Sequence, residues 1–468
     1  METRTRTSFL LMCLLVGTSA STLKAEEVVL PVAPIKPIAS PATFAKFGIK
    51  APNLSAKPTK KTSSTKQDPP VDASKKDAPK AEAVAPPAAP TPGAVTVTGL
   101  FDLYYSINTR APHTPSAIGF PNGESISVDN TARFFDINDR EPSFSLGEIN
   151  ITRTPSKQFN FGVTATLTFG DSARLFHATE PGGTSSWSLL HNAYLTYNTK
   201  IGKRDVAIDF GKWASPFGLE VLESVNNDNY SRAFDFWYGV PFYHVGFRAT
   251  TNINTQLSAQ VGIVNGWNDV ADSNNAKTIY GQLTYKPLPN FTQTLSYIGG
   301  LEGTGAFGPS VATNGGGGAT INLIDLTSIY QLSAKTKLSA WITHGSVAGN
   351  IQGANGAGSG SLSGNWLGLV GYVRHQLTNK IALAGRVEQF EDMGGGTSGY
   401  GTPRYAFGGG RYLKLNEVTL TGEYQFFNGR LITRAEYRHD WASSPIYTAG
   451  AGVSRDQDTF SMSLGYKF

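Results

Sequence analysis

The chain has 468 residues, with 40 Lys and Arg against 35 Asp and Glu, 51 Gly and one Cys. Its mean hydropathy of −0.20, with no mature stretch long and apolar enough for a membrane helix, excludes a helical membrane bundle. The net charge of +5 does not indicate a nucleic-acid partner. Residues 1–93 hold 13 basic and 7 acidic residues, which leaves 27 and 28 for the remainder, and the front lysines are scattered among Pro and Ala without aromatic platforms.

Residues 1–25 have the pattern of a secretory leader. Arg4 and Arg6 are followed by an apolar run from Phe9 to Val16, with cleavage expected after Ala20 or Ala25. Cys13 leaves with the leader. The mature protein then has no thiol nucleophile, thiolate ligand or disulfide. Residues 26–93 are rich in Pro, Ala and Lys and poor in core formers, which predicts a disordered, extended arm. The arm is either a spacer or a periplasmic tether whose lysines touch the anionic cell wall.

From Ala94 to the last residue the dominant period is two. Sixteen strands are expected, at 94–107, 141–153, 158–169, 189–198, 204–213, 243–252, 255–264, 276–286, 290–300, 319–331, 335–345, 365–376, 380–391, 411–426, 430–441 and 456–468. In the third, Phe159, Phe161, Val163, Ala165, Leu167 and Phe169 alternate with polar or small residues. The second changes phase near Gly147, which predicts a bulge. Seven short turns alternate with eight long loops, at 108–140, 170–188, 214–242, 265–275, 301–318, 346–364, 392–410 and 442–455. The fold class is therefore all-β: a transmembrane antiparallel barrel of about 16 strands with short periplasmic turns and long extracellular loops. The last strand places Phe460, Met462, Leu464, Tyr466 and Phe468 on one face. Its aromatic end resembles the assembly signal of Gram-negative outer-membrane barrels. A lone amphipathic strand in a soluble β protein would not repeat this pattern along the chain.

A barrel of this size leaves a wet lumen. The fifteenth strand puts Arg430, Arg434, Glu436, Arg438 and Asp440 on one parity. Lipid would penalise them, so they are expected inside. Arg386, Glu388, Glu423, Arg248, Asp205 and Asp209 share the inward parity. The third long loop carries Glu220, Glu223, Asp228, Arg232 and Asp235 among Phe217, Tyr230, Phe234, Phe236, Trp237 and Tyr238, too many aromatics for an exposed loop. The loop is expected to fold inward, with its carboxylates facing Arg434 and Arg438 across a constriction. Glu220, Glu223, Asp228, Arg232, Asp235, Arg248, Arg386, Glu388, Glu423, Arg434, Glu436 and Arg438 are thus the candidate constriction and selectivity residues. The blander alternatives are a self-compensating ion-pair network on the wall, and a loop packed over the mouth or against another protomer.

Gly211-Lys212-Trp213-Ala214-Ser215-Pro216-Phe217-Gly218-Leu219-Glu220, Asn229-Tyr230-Ser231-Arg232 and Pro241-Phe242-Tyr243-His244-Val245-Gly246-Phe247-Arg248 resemble the signature of a β-barrel porin family described as OmpL-like. The resemblance spans 94–468, with the motif confined to 211–248. It implies an outer-membrane porin and carries neither catalytic residues nor a defined substrate. Ser215 stands where the pattern commonly has Thr.

Tyr105, Phe169, Tyr197, Tyr285, Tyr437, Trp441 and Tyr466 suit aromatic girdles at the headgroups. A sugar slide would need a row of inward aromatics, and only Tyr104, Tyr194 and Trp341 are candidates. The seven His have no metal-ligand spacing, and 394–399 lacks the helix and Lys of a phosphate loop. Neither a cofactor nor a metal is expected, and no catalytic residue is assigned. A rim hydrolase through His439 and a nearby Ser has no support from spacing.

The function expected is passive diffusion of small hydrophilic solutes and ions through a Gram-negative outer-membrane porin. The alternative is an envelope anchor in which the arm tethers barrel to wall. The expected partners are membrane lipids and lipopolysaccharide, the solutes, and peptidoglycan through the arm. Trimers are common among barrels of this size, and a homotrimer is retained by that analogy alone. Ion preference is not fixed by the sequence.

Overall fold

A computed structural model describes residues 93–112, 116–119, 125–177, 180, 190–272, 274–302, 319–352, 359–393 and 412–468. The expected leader and arm lie outside the described residues, as does the glycine-rich stretch 394–399. Sixteen antiparallel strands close one barrel. They are β1 Val95–Asn108, β2 Ser143–Arg153, β3 Phe161–Phe169, β4 Leu190–Ile201, β5 Arg204–Ala214, β6 Tyr243–Asn252, β7 Leu257–Val264, β8 Thr278–Leu288, β9 Phe291–Glu302, β10 Ala319–Gln331, β11 Thr336–Gln352, β12 Ser359–Gln376, β13 Ile381–Asp392, β14 Leu413–Phe426, β15 Leu431–Ala442 and β16 Asp456–Lys467. Each strand pairs with its sequence neighbours, and β1 closes on β16 with Leu103 opposite Leu464.

The two-residue period becomes two environments. Phe101, Leu103, Phe161, Leu195, Phe210, Phe247, Val261, Leu283, Leu295, Leu420 and Met462 are exposed on the outer face. Their strand neighbours Asp102, Thr166, Asp209, Ser296 and Thr421 point inward and are buried or bonded. Tyr105, Phe169, Tyr197, Tyr285 and Trp441 lie on the outer face, as a girdle requires. Tyr104 and Trp341 are fully buried beneath loops.

The departures from the sequence reading have local causes. The bulge predicted near Gly147 occurs at Ser145, because Asp102 pairs with Leu146 and Leu103 with Phe144. Strand β3 starts at Phe161. Pro155 offers no N–H to a ladder, and Ser156 and Phe159 exchange backbone hydrogen bonds in a turn instead. Arg430 falls in a turn and is exposed. Most of the loop expected at 346–364 is strand, paired as far as Gln352 opposite Ser359. The loop expected at 108–140 contains a small ribbon, Ser116–Gly119 with Ser125–Val128, and another joins Tyr447–Ala449 to Gly452–Ser454. The second long loop begins with helix α1, Asp171–Phe176.

The core is unusual for a barrel because much of it is loop. Phe134, Phe135 and Ile137 of the first long loop and Phe217, Leu222, Phe234, Phe236 and Tyr238 of the third join inward wall residues such as Trp341, Trp366 and Phe390 in one buried cluster.

Candidate functional site: an inner loop bonded to the barrel wall

Residues 215–242, called here the inner loop, leave the top of β5 and return to β6. They contain a 3₁₀ turn, Ser224–Asn226, and helix α2, Phe234–Tyr238. Gly218 starts the inward course with φ of +84°, and a Cβ there would lie 2.6 Å from the Trp341 ring, so only Gly allows both the turn and the approach. The aromatics then pack. Trp237 stacks on Phe134 at 3.7 Å, Phe236 meets Phe135 at 5.6 Å, Tyr238 meets Phe390 at 5.8 Å and Tyr230 meets Tyr104 at 5.7 Å.

A buried loop must satisfy its backbone. Here the wall does it with charge. Glu436 accepts from the Tyr230 and Ser231 amides at 2.6 and 2.9 Å. Glu388 accepts from the Phe234 and Asp235 amides, both at 2.7 Å, at the start of α2. The guanidiniums donate to carbonyls: Arg434 to Ser224 at 2.6 Å and Asn227 at 2.8 Å, Arg386 to Ser231 at 2.6 Å, and Arg438 to Arg232 at 2.6 Å. Wall carboxylates thus take the loop's N–H groups and wall arginines take its C=O groups.

Further bonds tie the same groups to one another, although Arg232 Nε, Asp235 Oδ2 and Arg438 Nη2 are buried without a hydrogen-bond partner among the described residues. Arg386 bonds Glu417 at 2.6 Å and Glu220 at 2.7 Å. Glu220 also accepts from the Ala233 amide at 2.7 Å and from Tyr372 Oη at 3.0 Å. Arg434 bonds Glu423 at 2.9 Å, and Arg438 bonds Asp440 at 2.6 Å. Arg232 donates to the carbonyls of Tyr230 at 2.8 Å and Leu222, and its guanidinium lies over the Phe135 ring at 5.1 Å. Asp235 accepts from Thr343 Oγ1 at 2.6 Å. Burial, reinforced by the nearby charge of Glu388, raises the Asp235 carboxyl well above its ordinary range.

Nine of the twelve candidate residues, Glu220, Arg232, Asp235, Arg386, Glu388, Glu423, Arg434, Glu436 and Arg438, therefore form one buried network between the inner loop and β13–β15. Arg434 and Arg438 meet loop carbonyls and wall carboxylates, and they do not face the loop's own carboxylates. Asp228 sits at the network's edge, 2.8 Å from Lys337 Nζ. Glu223 points elsewhere, toward His191 at 3.9 Å. Arg248 is on another wall, bonded to Asp209 at 2.7 Å and lying over Trp213 and Tyr194.

Sequence reasoning passed over several participants. Asp102 of β1 accepts from Ser224 Oγ at 2.7 Å. Asp325 accepts from Trp341 Nε1 at 2.6 Å and, more weakly, from the Gly218 amide at 3.3 Å. Arg133 of the first long loop bonds Asp440 at 3.2 Å. Lys337 and Arg374 point inward near the short-turn ends of β11 and β12. Parity alone gives Asp102, Asp325, Lys337 and Arg374 their inward direction, and nothing in the sequence flags Arg133.

In the second long loop, His177 meets Glu180 at 2.5 Å, beside Lys212. Burial holds His177 well below its usual range and moves the Glu180 carboxyl up to about 7, against the pull of Lys212. His439 bonds Asp458 at 2.8 Å on the outer face and stacks on Trp441. Among the described residues no group of three or more His, Cys, Asp or Glu could hold a metal ion.

A closed sixteen-stranded barrel with an apolar outside, a polar inside and a long loop folded within is the architecture of a porin-like outer-membrane barrel. The chain belongs to the family described as "Putative beta-barrel porin-2, OmpL-like", whose model matches residues 94–468. Among solved structures it is similar to the outer-membrane channel DcaP of Acinetobacter baumannii, at 10% identity and a TM-score of 0.47, covering 80% of this chain and 97% of that one. It is also similar to an anion-selective porin from Comamonas acidovorans, at 10% identity and a TM-score of 0.46, covering 80% and 99%. A third is OmpT, an outer-membrane protein of Vibrio cholerae, at 11% identity and a TM-score of 0.45, covering 80% and 97%. No curated protein matches the chain.

Proposed function

We propose that this porin-family barrel gives passive, water-filled passage to small hydrophilic solutes and ions, and that the inner loop sets its narrowest level. The observation that carries the reading is the two-sided bonding of the loop's backbone to the wall by Glu388, Glu436, Arg386, Arg434 and Arg438. A loop held that way keeps a fixed cross-section against solute traffic. The network residues act by position: they hold the loop, and their charges are consumed in doing so. Glu223, Asp228 and Arg248, on the margins, keep some contact with the lumen.

Below the loop the wall is wet and mostly neutral. Thr152, Thr164, Asn192, Thr196, Thr250, Gln260, Gln282, Thr284 and Thr294 are half-buried, and several bond across strands, as Gln260 does Thr250 at 3.0 Å and Thr284 does Thr294 at 3.2 Å. Such a surface passes hydrated solutes without binding them tightly. The porin reading assigns the barrel no enzymatic role. The predicted arm is assigned to the periplasm, and a homotrimer remains the proposed assembly.

Single-channel recording in a planar bilayer tests the reading. Large, stable, ohmic steps from a heat-modifiable barrel are expected. A correctly folded barrel that gives no steps would overturn it and leave the anchor reading in its place.

A further inference from the structure

The charges that ought to tune the pore are buried under the inner loop, so any charge preference has to come from groups that still meet water. Among the described residues, Lys200–Asp205 at the short-turn rim is exposed on both members, and three ion pairs farther up the lumen wall meet this condition and share one asymmetry. The side chain of Lys337 is 33% exposed against 12% for Asp228, that of Arg374 18% against 3% for Glu423, and that of Arg248 15% against 9% for Asp209. In each pair the cation is the member left to the solvent.

Two of these cations are adjacent. Lys337 of β11 and Arg374 of β12 are directly opposite in the strand register. Both sit near the short-turn end, beneath the edge of the loop that supplies Asp228. Glu423, the carboxylate beside Arg374, is shared: Arg374 donates to it at 2.5 Å, Arg434 at 2.9 Å and Gln425 at 2.7 Å. Two guanidiniums on one carboxylate leave an excess of positive charge. Lys467 of β16, half-buried and near Glu423 and Arg434, makes no ion pair among the described residues. Around the side-chain carboxylates Asp228 and Glu423, with Asp102 farther off beside Arg434, there are four cations, Lys337, Arg374, Arg434 and Lys467, so cations outnumber acids by one. Glu223, 15% exposed on the far part of the loop near His191, is an opposing acid of the loop, and Asp205 lies at the short-turn rim of β5, paired with Lys200.

We propose that Lys337 and Arg374 form an anion filter on the wall beneath the inner loop, so that the pore favours small anionic solutes, carboxylates and phosphates, over cations. The proposal rests on the porin reading. Both groups have the reach and the spare donors that hydrated anions need, while the carboxylates beside them are occupied. A positive patch in a narrow, low-dielectric passage concentrates counter-ions, and a potential of about 1 kT at the axis changes the anion-to-cation ratio about sevenfold.

The test is the reversal potential across a KCl gradient for the full chain in a planar bilayer. The wild type should reverse on the chloride side. The double variant Lys337→Glu with Arg374→Gln lowers the charge of the patch by three and should bring the preference to potassium with little change in conductance. Lys337→Gln alone, at the most exposed position, should reduce the chloride preference without inverting it, and serves if the double variant does not fold. A conducting wild type that prefers potassium, or a folded variant with an unaltered ratio, would overturn the filter and leave the porin reading intact. Absence of any conductance would overturn both.

Discussion

Replacing Arg386 by alanine should free the inner loop while leaving the barrel closed. The guanidinium is fully buried and makes three kinds of contact at once: with Glu417, with Glu220 and with the Ser231 carbonyl, at 2.6–2.7 Å. Deleting one partner of a buried ion pair costs about 3–5 kcal/mol, because the other charge is left behind. That cost falls mainly on docking of the loop, since β13 keeps its ladders to β12 and β14 in either state. Arg434, Arg438, Glu388 and Glu436 would still hold other points, at about 1.5–3 kcal/mol for each charge-assisted bond. The loop should therefore open intermittently and not detach. Single-channel recording should show larger mean conductance with added flicker, and proteolysis should reach 215–242 in the folded barrel. Arg386→Lys should lie between, because a point charge cannot serve two carboxylates and a carbonyl with one planar fork. A heat-modifiable Arg386→Ala barrel with wild-type conductance, noise and protease resistance would refute the reasoning.

Other consequences can be checked with the same material. Leu420, 58% exposed on the outer face, should tolerate Arg poorly, at about 2–4 kcal/mol near the bilayer midplane. Arg at the inward Ser339 should leave folding unchanged and shift only the reversal potential. Gly218→Ala should loosen the start of the inner loop by about 1–3 kcal/mol, through its positive φ and the clash with Trp341, read as faster proteolysis. Asp235→Asn tests a pH dependence. Its folded carboxyl titrates well above the unfolded value, so its contribution is fully present below that value and is lost as pH rises through the folded one. The amide should flatten the fall in the heat-modification midpoint on going from acid to alkaline buffer, and an unchanged slope would contradict the assignment.

Much of the barrel could be read from the sequence because its signal is local. Alternation over ten residues, turn chemistry and the even count of strands are properties of neighbouring residues, and lipid enforces them on every strand. The density of aromatics between Phe217 and Tyr238 also announced a loop that could not stay in water. The partners of Arg434 and Arg438 could not be read. Their carbonyl acceptors lie more than 200 residues away in sequence, and a backbone carbonyl carries no residue identity to look for. The inward fold of the first long loop was missed for a similar reason. Phe134 and Phe135 are two aromatics in a polar stretch, and only the surface offered by Trp237 and Phe236 makes them core. Lys337 and Arg374 had the right parity, but exposure within a lumen depends on where the loop edge falls.

The 3₁₀ turn of the inner loop sits over the place where the cylinder closes. Ser224 donates to Asp102 on β1, its carbonyl receives Arg434 from β15, and the Val225 side chain fills the space over Gly465 of β16. One short turn thus clasps the first strand and the last two. These contacts span 122 to 240 residues of sequence, and those to Arg434 and Gly465 cannot form before the C-terminal strands have arrived. Until then the loop has no complete seat, and the β1–β16 seam has no clasp. Assembly of the wall and maturation of the passage would then be a single event, and a half-built cylinder would have no finished channel to leak through.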